Sequence, residues 1–205
     1  MTVVHVVATG MANLASVLAA LRRAGCTPEL TTDGALVRST TAPVVLPGVG
    51  HFAAARAELD AHDLAEALRA RLDAGLPTLG ICLGMQLCTS GSDEGPGVAG
   101  LGAVEAHAHA FPEGIRSPHL GWTRVTAPDG ARFLRDGYAC FAHSYRLLNA
   151  PAPWLAATAD HGGPFVAAVE RGDVLLCQFH PELSGSWGAE LLDRWLAAAR
   201  AREVA

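Results

Sequence analysis

The chain has 205 residues, half of them hydrophobic and 17% charged, which suits one compact domain over residues 1–205 with a sizeable core. A net charge of −5 gives no basic footprint for nucleic acid, and no apolar run is long enough to span a bilayer. Every basic residue is an arginine; without lysine the chain has neither a Walker A phosphate loop nor Schiff-base or pyridoxal phosphate chemistry.

The pattern opens on a strand over residues 3–8. No basic stretch with a small-residue cleavage site precedes it, so a cytoplasmic protein is expected. Residues 13–24 read as a helix: Leu14, Val17, Leu18 and Leu21 fall on one face, and Asn13 stands where it can cap. A short buried strand over 43–46 runs into Pro47-Gly48-Val49-Gly50, a loop whose backbone N–H groups can face an anion or form an ordinary turn. Residues 52–74 are helical with a break near 60–63. Residues 76–81 form a buried strand that ends at Gly80-Ile81-Cys82-Leu83-Gly84, and a helix can start over 85–90. This alternation predicts an α/β fold: a doubly wound, mostly parallel sheet flanked by helices.

The corner at Cys82 is the cysteine form of a nucleophile elbow. Glycines on both sides permit a sharp turn, and the adjoining helix N-terminus favours a thiolate. Residues 90–102 read as an exposed, glycine-rich loop. Gly95-x-Gly97 and Gly100-x-Gly102 neither follow a strand nor open a helix, so no dinucleotide fingerprint is assigned. Residues 103–174 switch to short strands and turns, an antiparallel extension that includes a strand over 122–127. His107 and His109 share a strand face at period-two spacing, but no carboxylate or cysteine stands at supporting spacing. They are read as solvent-facing, and no metal or other cofactor is expected. His119 and His143 lie in turn-like contexts and are weak signals alone. A buried strand over 174–179 leads into His180-Pro181-Glu182, and residues 187–201 close as an amphipathic helix.

A histidine at one strand end can face a cysteine at another, with Glu182 orienting the ring, which is the nucleophile–base–orienter logic. A buried cysteine and an unrelated surface histidine is the plainer reading of either residue alone. The remaining cysteines show no Cys-x-x-Cys spacing; Cys26, Cys88 and Cys177 are read as small core hydrophobes.

Taken together, the elbow and His180-Pro181-Glu182 resemble the class I, triad-type glutamine amidotransferases. The segments at 10–13, 46–50, 80–87, 118–122, 141–145, 163–169 and 178–182 resemble more narrowly the glutaminase subunits of imidazole glycerol phosphate synthase. The resemblance implies that Cys82 attacks the glutamine side-chain amide, with His180 moving protons and Glu182 orienting it. It implies oxyanion donors at Leu83 and Val49, and a glutamine site lined by Gly48, Gly50, Gln86, His143, Ser144 and Tyr145. It also implies a heterodimer with a cyclase of (β/α)8 barrel type. That cyclase receives ammonia and makes imidazole glycerol phosphate and AICAR in histidine biosynthesis, and Asn13, His119, Trp122 and Leu183 lie toward the face that meets it. The chain departs from the family pattern at Leu183, where lysine is usual, at Ala12, where glycine is usual, and at Cys140, often aromatic. Chemistry is therefore expected to be kept while docking contacts are altered. Three other readings compete: a glutaminase serving a different synthase, a Cys–His hydrolase of related fold, and a non-catalytic subunit. The intact triad argues against the last.

Overall fold

A computed structural model describes residues 2–8, 10 and 13–204, with side chains to Arg202; Ala12, one of the departures above, lies outside the described residues. The N-terminal half alternates β1 (Thr2–Val7), α1 (Leu14–Arg23), β2 (Cys26–Thr31), α2 (Gly34–Ser39), β3 (Val44–Gly48), α3 (Phe52–Ala61), α4 (Leu64–Asp73), β4 (Thr78–Cys82) and α5 (Leu83–Leu87). The rest is mostly strand: β5 (Thr89–Ser92), β6 (Val104–Ala110), β7 (His119–Val125), β8 (Gly137–His143), β9 (Tyr145–Leu147), β10 (Leu155–Asp160), β11 (Pro164–Arg171) and β12 (Val174–Cys177). A 3-10 turn over Pro181–Leu183 and α6 (Gly185–Val204) complete it.

The main sheet runs β2-β1-β3-β4-β12-β11-β9-β6-β5, with β10 beside β11, while β7 and β8 pair as a separate ribbon. From β2 to β12 every neighbour is parallel. Beyond β12 the pairing turns antiparallel through β11, β9 and β6. The parallel centre is covered on both faces, as parallel sheets require. On one side α1 and α6 bury Val17, Leu21, Leu191, Trp195 and Leu196 together with Phe141 of the ribbon. On the other, α2 to α5 bury Val37, Phe52, Leu59, Leu68 and Met85. Strands β3, β4 and β12 are therefore buried at every position, which is why their sequences are runs of Val, Leu and Ile rather than alternating patterns. No helix among the described residues is long and apolar enough to cross a membrane.

Several boundaries differ from expectation for local reasons. β2 and α2 carried no periodic signal. β2 is an edge strand that tolerates Pro28, and α2 is only six residues long, started by Asp33, which accepts from the Leu36 N–H at 3.0 Å. Asn13 stands at the N-cap of α1, but its side chain makes no cap hydrogen bond; Nδ2 points to Ser16 Oγ at 3.5 Å. The helix expected over 85–90 is α5, which ends at Leu87. The following residues are not a wholly exposed loop, because Thr89, Gly91 and Ser92 are buried where β5 pairs with β6. The expected break near 60–63 is present, with Asp63 in the left-handed region at φ 55°.

Arg71 of α4 is fully buried and holds the sheet to this helical layer. Its Nε donates to Thr78 Oγ1 at 3.1 Å, Nη1 to the Thr40 carbonyl at 2.6 Å, and Nη2 to the Pro77 carbonyl at 2.9 Å and to the Ala42 carbonyl. Burial, and then the charge on Arg202, lower its pKa to about 10, so it remains a cation at neutral pH. Replacing Arg71 with Met would strand those carbonyls without donors. The expected loss is about 3–5 kcal/mol of unfolding free energy in urea melts, and a loss under about 1 kcal/mol would contradict this role.

Candidate active site

Cys82 ends β4 with φ 54° and ψ −110°, a conformation side chains rarely adopt. Three glycines make the turn possible by close approach. A Cβ on Gly84 would overlap the Leu46 carbonyl of β3, and one on Gly80 would lie 2.8 Å from Leu176 Cδ2 of β12. A Cβ on Gly48 would lie 2.9 Å from the Leu83 Cβ, so the end of β3 is pressed against the start of α5. In register, Gly48 pairs with Cys82 on one side and Cys177 with Ile81 on the other. The loop at 48–50, the thiol and the residues after β12 therefore arrive at one edge of the sheet.

His180 lies just past β12. Its Nδ1 is 2.8 Å from Glu182 Oε1, and both side chains are buried, with relative exposures of 9% and 3%. The ribbon fixes this turn: the His180 N–H donates to the Cys140 carbonyl at 2.9 Å. Ser184 Oγ accepts from the Cys140 N–H at 2.9 Å and donates to the His180 carbonyl at 2.6 Å. Burial works against a charged ring. Hydrogen bonds with Cys82 and Glu182, and their negative charge, outweigh it and raise His180 to about 10. The arrangement sets a charged imidazole, a proton donor, beside the Cys82 thiol.

Around the thiol lies a cavity of about 240 Å³, lined by Val49, Gly50, Cys82, Leu83, Gln86, Glu94, Pro118, Leu120, Ala142, His143, Ser144 and Tyr145. Of the residues expected there, only Gly48 is not on the wall; it packs beneath Leu83. A larger depression of about 710 Å³ between α2 and the turn at 60–63 contains no nucleophile and lies away from this chemistry. Of the four residues expected toward a partner, Asn13, Trp122 and Leu183 are exposed. His119 is a correction: it is buried at 3% exposure, stacked between His161 and Phe141 at centroid distances of 4.1 and 4.9 Å, so its ring is not on the surface. Nor are His119 and His143 in turns; they sit opposite each other on β7 and β8.

Gln178 has no distinct sequence signal beyond its place one residue after β12. It is fully buried, and its Nε2 lies 3.7 Å from Cys82 Sγ. It ends a hydrogen-bonded chain whose directions are forced. His143 Nδ1 meets the Tyr145 carbonyl at 2.8 Å, so that nitrogen carries the proton and Nε2 accepts. His119 Nδ1 then donates to His143 Nε2 at 3.0 Å, and His119 Nε2 accepts from Thr123 Oγ1 at 2.8 Å. Gln86 Nε2 donates to the same Tyr145 carbonyl at 3.2 Å and to Gln178 Oε1 at 3.0 Å, which turns the Gln178 amide nitrogen toward sulfur. His143, which accepts at Nε2, is neutral in this chain, and burial holds His119 neutral as well. Burial first, then His161, lower His119 to about 4; burial dominates for His143 too and lowers it to about 3, although its bond to Tyr145 opposes this.

The chain matches the family model for glutamine amidotransferase class-I over residues 6–199. It is 41% identical over 190 residues to the imidazole glycerol phosphate synthase subunit HisH of Moorella thermoacetica, covering 89% of each chain. It is 40% identical over 194 residues to the subunit of that name from Salmonella typhimurium, covering 92% of this chain and 95% of that one. Among solved structures, a glutamine amidotransferase superposes with a TM-score of 0.77 at 20% identity, covering 96% of this chain and 98% of that one. A putative GMP synthase subunit from Thermoplasma acidophilum superposes with a TM-score of 0.73 at 19% identity, covering 100% of this chain and 97% of that one. At such identities these two speak for the fold alone.

The histidine chain has a pH consequence whose sign is fixed. Unfolded, the rings protonate near pH 6.5; folded, they stay neutral down to about 4 for His119 and about 3 for His143. The unfolded state binds more protons through that window, so stability falls as pH drops from 6.5. His143→Gln should reduce that slope by up to about 1.4 kcal/mol per pH unit in urea melts between pH 6.5 and 4. An unchanged slope would refute the neutral assignment. His180 acts oppositely: its contribution is complete below 6.5 and is lost as pH rises through about 10.

Proposed function

Since this chain belongs to the class-I glutamine amidotransferase family, we propose that it hydrolyses glutamine through a thioester on Cys82 and passes the ammonia to the cyclase of imidazole glycerol phosphate synthesis. The observation that carries the chemistry is the meeting of Cys82 with the buried His180–Glu182 pair at the ends of adjacent parallel strands.

The Cys82 thiolate attacks the side-chain carbonyl carbon of glutamine and forms a C–S bond. The carbonyl oxygen becomes an oxyanion, which the Leu83 N–H and a backbone N–H at Val49 receive. His180, charged and held by Glu182, gives its proton to the departing amide nitrogen, which leaves as ammonia. Now neutral, His180 takes a proton from water as the water attacks the thioester, and glutamate departs with the thiolate restored. Gly50, Gln86, Ser144 and Tyr145 bind the substrate, while Gly48, packed beneath Leu83, holds the loop that carries Val49 and Gly50. His143 lines the pocket, but both ring nitrogens are engaged within the protein, so its polar effect on substrate passes through the Tyr145 carbonyl.

Free ammonia is wasted glutamine, so conditional activity has a physical rationale. Withholding one oxyanion donor costs about 3 kcal/mol of transition-state stabilisation, enough to silence the isolated subunit. Val49, at the pocket wall and 40% exposed, stands where a partner could set that peptide. Leu120, Trp122 and Leu183 are also exposed, at 62%, 57% and 42%, an unusual display of large apolar side chains that suits a docking face. We place the (β/α)8 barrel cyclase there, as a heterodimer. Leu183, in the position where the family carries lysine, supports a partner with compensating changes.

Glutamate release should be slow for this chain alone and should rise by about two orders of magnitude with a histidine-pathway cyclase and its nucleotide ligand, the scale of one oxyanion donor. Cys82→Ala should abolish it in both conditions. Activity indifferent to the cyclase would keep the Cys82 chemistry and move the acceptor to another synthase. Leu183→Lys should tighten binding to a typical cyclase in a titration, and unchanged affinity would remove the docking argument.

A further inference from the structure

His107 and His109 share one face of β6, and the fold brings the Asp93 carboxylate between them. Asp93 follows β5, and β5 pairs with β6, which carries both histidines. The Asp93 N–H donates to the Ala108 carbonyl at 2.9 Å, and its Oδ2 accepts from the Ala110 N–H at 3.1 Å, so backbone bonds from β6 hold both ends of the residue. Oδ1 lies 2.8 Å from His107 Nε2, and Oδ2 lies 3.4 Å from His109 Nδ1. One atom from each of the three residues lies within 4.8 Å of the others.

A tetrahedral ion about 2.1 Å from nitrogen and oxygen ligands spaces them roughly 3.4 Å apart. The two separations from Asp93, 2.8 and 3.4 Å, lie at or just below that spacing, and all three ligand atoms lie within 4.8 Å of one another, so side-chain adjustment alone can admit an ion. Two imidazoles and a carboxylate suit a borderline divalent ion; calcium and magnesium prefer all-oxygen shells. The side chains are 41–46% exposed, which leaves the remaining coordination position to water. His107 and His109 stand on β6, and the β6 backbone bonds hold Asp93 in the turn that follows β5.

We propose that Asp93, His107 and His109 form a binding site for one divalent transition-metal ion of the zinc class. The site adjoins the active-site rim. Glu94, the next residue, lines the pocket and accepts the Phe52 N–H at 2.7 Å, at the start of α3 just after the 47–50 loop. The site stands apart from the glutamine chemistry and holds whether or not that reading does.

The test uses tag-free protein carrying Cys82→Ala, which removes a competing thiolate, titrated with Co2+. Saturation at one ion per chain is expected, with visible d–d bands and no sulfur-to-cobalt charge-transfer band. His109→Ala and, separately, His107→Gln should abolish uptake; both side chains are half-exposed, so the fold should persist. Asp93→Asn should weaken binding by roughly tenfold or more. Zn2+ should raise the Tm of the parent and leave that of His109→Ala unmoved, because an ion that binds only the folded state stabilises it. Uptake should fade as the pH is lowered, because protons compete with the ion for its ligands. No uptake, uptake unaffected by His109→Ala and His107→Gln, or a thiolate band would overturn the site.

Discussion

The molecule turns on how closely β3 and the start of α5 are allowed to approach. Gly84 lies under the Leu46 carbonyl and Gly48 lies against Leu83, contacts that any side chain at either glycine would force apart. That contact brings the 48–50 loop beside Leu83, the residue after Cys82. It also sustains Cys82 at a positive φ, a conformation that costs on the order of 1–3 kcal/mol and persists only where neighbours over-determine it. The neighbours here are two fully buried parallel strands, β3 and β12, flanking β4. The same pairing sets Gln178 and His180 beside the thiol, so chemistry and fold share one set of contacts.

The pocket separates its histidines electrostatically. His180 and His143 are both buried, and burial alone disfavours charge on each. His180 faces a carboxylate and a thiol, which reward the imidazolium and raise it. His143 faces a carbonyl and another neutral ring, and one of its nitrogens must accept, so it is held neutral. One ring is thereby suited to moving protons, and the other to fixing the Tyr145 carbonyl and, through Gln86 and Gln178, the environment of the sulfur. Arg71 provides a comparable anchor at the far end of β4, where a single guanidinium satisfies three carbonyls from two connecting segments.

Much of this was legible in the chain because it depends on local constraints. The elbow is a strand, two glycines and a thiol in succession, and His180 and Glu182 are two residues apart. The buried parallel strands announce themselves as short apolar runs, and α1 shows its buried stripe. What escaped has a common cause. β2 and α2 are short and half-exposed, so no period accumulates. β5 lies in a glycine-rich stretch and is a strand only because β6 pairs with it. Gln178 and Asp93 are 96 and 14 residues from the side chains they meet, separations at which spacing carries no signal. The resemblance set His119 toward the partner face, but strand alternation exposes Leu120 and Trp122 and turns the His119 ring inward.

The sequence by itself determined the class of fold and singled out Cys82, His180 and Glu182 as candidates for nucleophile, base and orienter, because residue type and near-neighbour geometry suffice for that. Only the tertiary structure decided which way the buried amides and imidazoles point, which histidines stay neutral, and which carboxylate joins His107 and His109. Those depend on hydrogen bonds and desolvation between strands distant in the chain, and such interactions exist only once the sheet has set its register.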